Sequence, residues 1–226
     1  NYNTVVGDEA GTAITTGDGN VAVGYQALTS EDGHGTATAV GHKALQTLDG
    51  GVDTYNTAVG YNSGIAVTTG TQNTFIGGLA GDALTDADFN VAVGVAALSG
   101  DTLGSKSTAL GYYALATQNF TSATQVFNTA VGHSAGRQIT TAIENTLIGG
   151  LAGDAITTGN SNVAVGYLSL SANTTGASNV GIGVIALDAN TTGSDNIGIG
   201  RSALGANTTG ANNVAVGSLA LDANTT

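Results

Sequence analysis

A phrase of nine residues, built around a central glycine, recurs thirteen times along this chain of 226 residues. The copies at residues 20–28 and 162–170 differ at only two positions. Ten of the twelve spacings between successive central glycines are 17 residues, and the other two are 19 and 21. A unit of this size cannot bury a core alone, so each copy has to stack on its neighbours. The central glycines are Gly7, Gly24, Gly41, Gly60, Gly77, Gly94, Gly111, Gly132, Gly149, Gly166, Gly183, Gly200 and Gly217.

Each position of the repeat has its own residue preference. The residue before the central glycine is always Val, Ile or Leu, and the residue three before it is Thr, Val or Ile. Between them Ala is the commonest residue, and Asn stands four before the glycine in eleven copies. After the glycine, the third residue is Ala in eleven copies and the fourth is Leu eight times and Gly five times. The alternation with a period of two before the glycine predicts a short β-strand.

The repeat therefore predicts an all-β fold, a parallel β-solenoid (β-roll) of about thirteen 17-residue coils. At the usual strand spacing of about 4.8 Å, such a stack would be a rod roughly 60 Å long. We expect a single repeat array over residues 1–226, with longer loops at 46–55 and 116–127, where the spacing is irregular. The chain starts without Met and the array opens and closes between strands, so we expect it to be a segment of a longer protein.

Stacking places the residues of each repeat position above one another in a column, and each column predicts a structural role. The residues one and three before the glycine share one strand face, which we expect to line the core. The Ala column would then lie outside, as a flat apolar stripe that favours self-association. Bulky Phe75 and Leu147 in that column coincide with Gly81 and Gly153, which indicates compensating packing. The central glycine is expected at a corner that needs positive φ or a close backbone approach. Stacked amides are expected to form a hydrogen-bonded ladder. Its members would be Asn20, Asn56, Asn73, Asn90, Asn128, Asn145, Asn162, Asn179, Asn196 and Asn213.

Composition excludes several functional classes. Four Lys and Arg stand against sixteen Asp and Glu, for a net charge of −12, so the chain lacks the cations that nucleic-acid binding requires. No apolar run approaches the length of a membrane span. Because Cys is absent, disulfides, zinc–thiolate sites and thiol nucleophiles are excluded. We expect no nucleic-acid partner, no membrane insertion by this segment and no cofactor.

Two motifs look catalytic but fill ordinary repeat positions. Residues 132–136 match GxSxG, which in hydrolases needs a strand-to-helix turn and separate acid and histidine partners. Residues 181–186 and 198–203 match GxGxxA, a dinucleotide fingerprint that requires a longer βαβ unit. We therefore expect no enzyme activity and no catalytic residue.

Metal sites are likewise not expected. Asp82, Asp154, Asp188 and Asp222 share the fifth position after the glycine, but the calcium-binding nonapeptide code is missing. His42 and His133 share the position after the glycine, where they could meet symmetry mates around a metal in a trimer or simply stack. We favour stacking.

Aromatic side chains are the candidates for ligand contact. Four tyrosines share the position after the glycine, where they could stack on sugars or pack in a ladder. The two longer loops carry further aromatics, which either act as recognition elements or only cap or kink the stack. The candidate contact residues are Tyr55, Phe120, Phe127, Tyr25, Tyr61, Tyr112 and Tyr167.

The phrase Asn-[Thr/Val]-Ala-Val-Gly-x-x-[Ala/Ser] resembles the head repeat of YadA-type trimeric autotransporter adhesins. The longer form Asn-Thr-Thr-Gly-x-Asn-Asn-Val-Ala-Val-Gly, at residues 207–217, resembles repeats of phage tail fibres. The resemblance covers the whole chain, although the adhesin repeat is shorter and prefers Ser three after the glycine. It implies a parallel homotrimer of β-rolls that presents a binding surface to host matrix or other cells.

Pattern and resemblance together predict a structural fibre segment of a cell-surface adhesin or phage tail fibre, located outside the cell or on a virion. The expected partners are further copies of the chain, as a trimer or filament, and a host-surface glycan or protein. One alternative is a subunit of a self-polymerising extracellular filament, in which open solenoid ends stack. A less favoured alternative is an ice-binding solenoid. Pairs such as Thr68-Thr69 could form ladders, but adjacent strand residues point to opposite faces.

Overall fold

The computed structural model describes residues 2–225 and confirms an all-β parallel solenoid of about thirteen turns, with no helix among these residues. In the described part, thirteen three-residue strands carry the repeat, and each ends at the residue before a central glycine. The chain divides into two compact units. One comprises residues 2–107 and 119–125, and the other residues 108–118 and 126–225.

The first unit contains six repeat strands and one short strand pair. The repeat strands are β1 (Thr4–Val6), β2 (Val21–Val23), β3 (Thr38–Val40), β4 (Thr57–Val59), β5 (Thr74–Ile76) and β6 (Val91–Val93). Each is parallel to the next and in register, so that Ala22 lies opposite Ala39. The short pair is formed by β7 (Gly104–Ser105) and β9 (Thr124–Gln125), also parallel.

The second unit has the same construction with seven repeat strands. They are β8 (Thr108–Leu110), β10 (Thr129–Val131), β11 (Thr146–Ile148), β12 (Val163–Val165), β13 (Val180–Ile182), β14 (Ile197–Ile199) and β15 (Val214–Val216). Neighbouring strands are again parallel and in register along the whole ladder.

The central glycines form the corner that follows each strand, with φ between 129° and 142°. They also lie tightly against the next coil: a Cβ added to Gly149 would be 2.5 Å from the carbonyl oxygen of Gly166. Both reasons for glycine that the sequence suggested, positive φ and close approach, therefore apply at the same position.

A second strained position follows four residues after the corner. There Leu28 and Leu204 have left-handed φ values of 52° and 54°, although leucine disfavours this conformation. The strain costs about 1–2 kcal/mol per residue. It is offset because each of these side chains is fully buried, which stabilises the fold by roughly 1.5–3 kcal/mol.

The prediction of which strand face is buried was wrong. The Ala column is inside, since Ala22 and Ala164 are fully buried, and the buried Asn column lies beside it. The β-branched residues on either side, such as Val21 and Val23, are partly exposed to solvent. The strand face and the turn opposite it are so close that only a small residue fits between them, as the exceptions to the Ala column demonstrate.

Those exceptions confirm the predicted compensation and place it in the core. Phe75 is fully buried, and a Cβ at Gly64 or Gly81 would come within 2.8 or 2.5 Å of its ring. Leu147 bears the same relation to Gly136 and Gly153, at 2.7 and 2.8 Å. A large side chain in the strand is therefore accommodated by glycines at the fourth position after the corner, in its own coil and in the preceding one.

The seventh residue after the corner obeys a related rule that the sequence analysis missed. All five coils with Gly at the fourth position have an aliphatic residue here. These residues are Ile14, Val67, Leu84, Ile139 and Ile156. Among the eight coils with Leu at the fourth position, seven have a polar residue here, and Leu48 is the exception. The aliphatic side chain at the seventh position thus fills the space that the glycine at the fourth position leaves open.

Buried asparagines hydrogen bond from coil to coil in both units. Asn162 is representative: its side-chain oxygen accepts hydrogen bonds from the backbone N–H of Asn179 at 3.0 Å and from the Asn179 side-chain amide at 3.1 Å. Its own amide group donates to the carbonyl of Gly176 at 2.9 Å, across the coil. Asn162 therefore satisfies a backbone donor of the next coil and a carbonyl across its own coil, which a buried backbone requires.

The neighbouring glycines Gly149 and Gly150 allow a test of whether glycine is required at the corner, because only Gly149 has a positive φ there. Gly149→Ala should lower the free energy of unfolding by about 2–4 kcal/mol, because Ala is strained at positive φ and its Cβ overlaps the next coil. At Gly150 an added Cβ makes only ordinary contact with Tyr167, at 3.6 Å. Urea unfolding of both variants checks this. Equal destabilisation would contradict the assigned role of the corner.

The asparagine ladder is tested by comparing one buried and one exposed asparagine. Asn162→Ala should cost about 1–3 kcal/mol, because it leaves the buried Asn179 N–H without a partner and removes one of the two side-chain amides that donate to the Gly176 carbonyl, the other being that of Asn173. The control is Asn160→Ala, since exposed Asn160 also accepts a backbone N–H, from Ile143 at 2.9 Å, but water can replace it. Thermal unfolding followed by circular dichroism should separate the two variants by several degrees.

Candidate functional site

Each unit presents an uncharged β-sheet face to solvent. We call the side chains one and three residues before the central glycines the outer face; they are Thr, Val, Ile or Leu in every copy. Val59, Ile76 and Ile148 on this face are 36%, 41% and 41% exposed. Because the strands are parallel and in register, like residues lie above one another in two columns. The flat apolar face that the sequence led us to expect exists, but it is built from β-branched residues rather than from Ala.

Aromatic rings stack along the edge of the outer face, at the position after the corner glycine. His42 lies between Tyr25 and Tyr61, with ring centroids 5.3 and 4.9 Å apart, and its plane is within 16° of that of Tyr61. In the second unit His133 stacks on Tyr112 at 5.3 Å. The histidines of this column therefore stack on tyrosines, and the tyrosine rings keep substantial exposed surface. Tyr25, Tyr61, Tyr112 and Tyr167 are 41%, 58%, 48% and 54% exposed.

The loop aromatics do not all behave as predicted. Tyr55 and Phe127 are exposed, but Phe120 is buried, so its assignment as an exposed contact residue was wrong. The reason is local pairing: the Phe120 N–H donates to the Asp101 carboxylate at 2.9 Å, and its carbonyl accepts the Leu103 N–H at 3.0 Å. The segment 119–125 thus packs into the first unit through its backbone.

The same segment helps to form a cavity of about 260 Å³ in the first unit. Its walls include Asp88, Phe89, Lys106 and Gln125. The Lys106 ammonium lies 5.9 Å from the centre of the Phe89 ring, within cation–π range. An acid, a base and an aromatic face in one cavity suit a small polar ligand. The sequence analysis pointed to this loop but missed Phe89, whose place beside the loop depends on the stacking of coils.

The two catalytic-looking motifs lie in repeat positions. Ser134 is buried and lies in a turn with φ 55°, with its N–H donating to the carbonyl of Tyr112 at 2.8 Å. The GxGxxA segments lie at the paired strands β13 and β14, with no helix between them in the described residues. Neither motif has the helix that its chemistry requires.

Threonine hydroxyls form a second ladder, as the threonine pairs in the sequence suggested. The Thr157 hydroxyl donates to the carbonyl of Thr174 at 3.0 Å, and Thr174 donates to Thr191 in the same way, also at 3.0 Å. Thr68 in the first unit repeats the arrangement with Thr85 at 3.3 Å. These hydroxyls belong to the threonine pairs considered for ice binding, and the hydrogen bonds commit them to the neighbouring coil.

Three aspartates at the fifth position after the corner glycine have raised pKa values. Burial raises the pKa of Asp82, Asp154 and Asp188 above the ordinary value of 3.8, against the opposing effect of their own backbone N–H groups. In the second unit Asp154, Asp188 and Asp222 are 34 residues apart, so a coil without Asp separates each from the next. The column does not form a continuous row of carboxylates of the kind that calcium needs.

The raised pKa values predict that stability rises as the solution is acidified below neutrality. A carboxyl whose pKa is higher in the folded state binds its proton before the unfolded chain does, so folding is favoured as pH falls towards 3.8. The melting temperature should therefore increase from pH 7 to mildly acidic pH. Asp154→Asn should raise the melting temperature at pH 7 and flatten this dependence. Asp195→Asn, at an exposed site of the same unit, is the control.

In residues 2–225 no helix is long and apolar enough to cross a membrane. Comparison with models of known protein families, with curated proteins and with solved structures gave no significant match. The repeat, the outer face and the aromatic column therefore carry any argument about function.

Proposed function

We propose that this chain is a non-enzymatic structural segment of an extracellular fibre, as in a cell-surface adhesin or a phage tail fibre. In this proposal the outer faces of several chains pack together, most simply as a parallel homotrimer. The assembly provides a stiff support that displays many identical surfaces for attachment. The trimer and the two kinds of fibre come from the resemblance of the repeat phrase to adhesin heads and tail fibres.

The observation that carries the proposal is the exposed apolar stripe on the outer face of each unit. Exposed stripes of this kind mark interaction sites, since monomeric proteins seldom leave large contiguous apolar patches in water. The second unit has seven such rungs, which at about 4.8 Å each extend roughly 30 Å. The β-branched side chains have few rotamers to lose, so association costs little side-chain entropy.

Charge distribution favours contact between copies through this face. The chain has a net charge of −12, which opposes the close approach of two copies at most surfaces. The outer face contains no charged residue in any of its copies. It is therefore the surface along which like chains can meet without burying unpaired carboxylates.

The exposed tyrosines support the attachment part of the proposal. Tyr61 and Tyr167 are more than half exposed, and tyrosine rings supply large contact areas at low entropic cost. Each lies beside the outer face on the far side of the corner glycine, so chains that meet through that face can leave the rings available. A host-surface glycan or protein is the partner that we propose for them.

One observation favours ice binding as a second candidate. On the outer face Thr and Val face solvent together, as in Thr38 and Val40 or Thr57 and Val59, in two regular columns. The spacings, about 4.8 Å between rungs and about 7 Å along the strand, form a flat lattice of hydroxyl and methyl groups. The objection raised by adjacent threonines does not apply to these residues, because they share one face.

Light scattering coupled to size exclusion, over a range of concentrations, tests the proposal. We expect a fixed species near three times 21.9 kDa. Replacing two outer-face residues, Val59→Lys and Ile148→Lys, should give a folded species of 21.9 kDa, because lysine would bury charge in the contact. Thr158→Lys with Thr192→Lys adds the same charge at exposed sites elsewhere and should leave the trimer intact.

The remaining outcomes distinguish the alternatives. Mass that grows without limit with concentration would replace the trimer with the self-polymerising filament. A monomer at all concentrations would overturn assembly through the outer face. Thermal hysteresis of that monomer above an albumin control, lost in the Val59→Lys and Ile148→Lys variant, would assign the face to ice.

A further inference from the structure

A buried acid interrupts the interior of the first unit. Glu31 occupies the seventh position after the corner, where the neighbouring coils have Ile14 and Leu48. It is fully buried. A carboxylate buried between these two aliphatic neighbours is costly unless a proton, a hydrogen-bond network or a cation compensates its charge.

Two polar atoms beside one another have no hydrogen-bond partner. They are Oε2 of Glu31 and Nδ1 of His34, and both are inaccessible to solvent. The other carboxylate oxygen, Oε1, accepts the backbone N–H of His34 at 3.0 Å, but it is 3.9 Å from His34 Nδ1, too far for a hydrogen bond. A carboxylate oxygen and an imidazole nitrogen of residues in one turn are thus both buried without a hydrogen-bond partner.

Asp32 completes a group of three converging donors. One ligand atom from each of Glu31, Asp32 and His34 lies within 4.8 Å of the other two. The turn that carries them is anchored from outside: Asn20 donates to the His34 carbonyl at 3.0 Å, and Asp53 accepts the Gly35 N–H at 3.1 Å. The position of the donors therefore depends on the stack and on the 46–55 loop as well as on the turn.

We propose that Glu31, Asp32 and His34 bind a divalent transition-metal ion of the zinc type. Two carboxylate oxygens and one imidazole nitrogen suit Zn²⁺, Co²⁺ or Mn²⁺, whereas calcium takes six to eight oxygen ligands. Bonds of about 2.0–2.2 Å draw donor atoms to roughly 3.5 Å from one another, which exposed Asp32 can reach by side-chain rotation. The ion would take up both orphaned atoms and fasten the turn of residues 31–34.

The test uses the full chain, freed of metal by a chelator, and ZnCl₂ as the probe. Isothermal titration is expected to give one Zn²⁺ per chain with micromolar or tighter affinity, and saturation should raise the melting temperature. With CoCl₂ the visible absorption of the ion should report nitrogen and oxygen ligation. Glu31→Leu, which copies Leu48 of the next coil, should weaken Zn²⁺ binding at least tenfold. His133→Ala, which removes a histidine of the second unit, should leave the affinity within twofold.

A second variant keeps the proposal testable if leucine perturbs the stack. Glu31→Gln preserves volume but removes the anionic ligand, and it should also weaken Zn²⁺ at least tenfold while its circular dichroism stays that of the wild type. Equal Zn²⁺ affinity in the wild type and in folded Glu31→Gln or Glu31→Leu would overturn the site. So would the absence of saturable binding to the wild type up to millimolar Zn²⁺.

Discussion

Close, in-register stacking of one coil on the next is the constraint on which the rest of this structure depends. It is achieved at two positions of each coil. The corner glycine lets the backbone approach the next coil to a distance that no Cβ would allow, as at Gly149 and Gly166. Four residues before the corner, an asparagine such as Asn162 hydrogen bonds to Asn145 and Asn179 in the two neighbouring coils. It also donates to the Gly176 carbonyl on the opposite side of its own coil. A coil alone has almost no core, so these contacts replace the tertiary packing of an ordinary domain.

The second constraint is the narrow interior. It explains why the smaller residues of each strand are buried and the more hydrophobic ones face solvent. Small alanines and amide groups face inward, and the larger valines and isoleucines face solvent. Where the strand carries a large inward side chain, Phe75 or Leu147, glycine replaces the Leu of the turn. Because Ala and Asn occupy the inward side of the strand, its Val, Ile and Thr side chains face outward and form the surface that we propose for association.

The residues that depart from the repeat form the features that occur once in the described structure. The segment 119–125 pairs with β7 and closes a cavity beside Phe89 and Lys106, in place of an exposed recognition loop. Glu31 places a buried carboxyl group between its aliphatic neighbours Ile14 and Leu48, and one of its oxygens and a nitrogen of His34 have no hydrogen-bond partner. In a repeat array, the residues that break a column are the first places to look for chemistry, since stacking alone does not require them.

The sequence by itself determined the period, the parallel solenoid, the glycine corner and the pairing of Phe75 and Leu147 with small residues, because each is a local or strictly periodic constraint. Only the tertiary structure decided which strand face is buried. Alternation fixes that residues 21 and 23 share a face, but it does not say which side the chain turns towards. That choice depends on how the chain turns after the corner, where residues such as Gln26 and Leu28 have left-handed φ values. The burial of Phe120 and the convergence of Glu31, Asp32 and His34 depend on contacts of the same non-local kind.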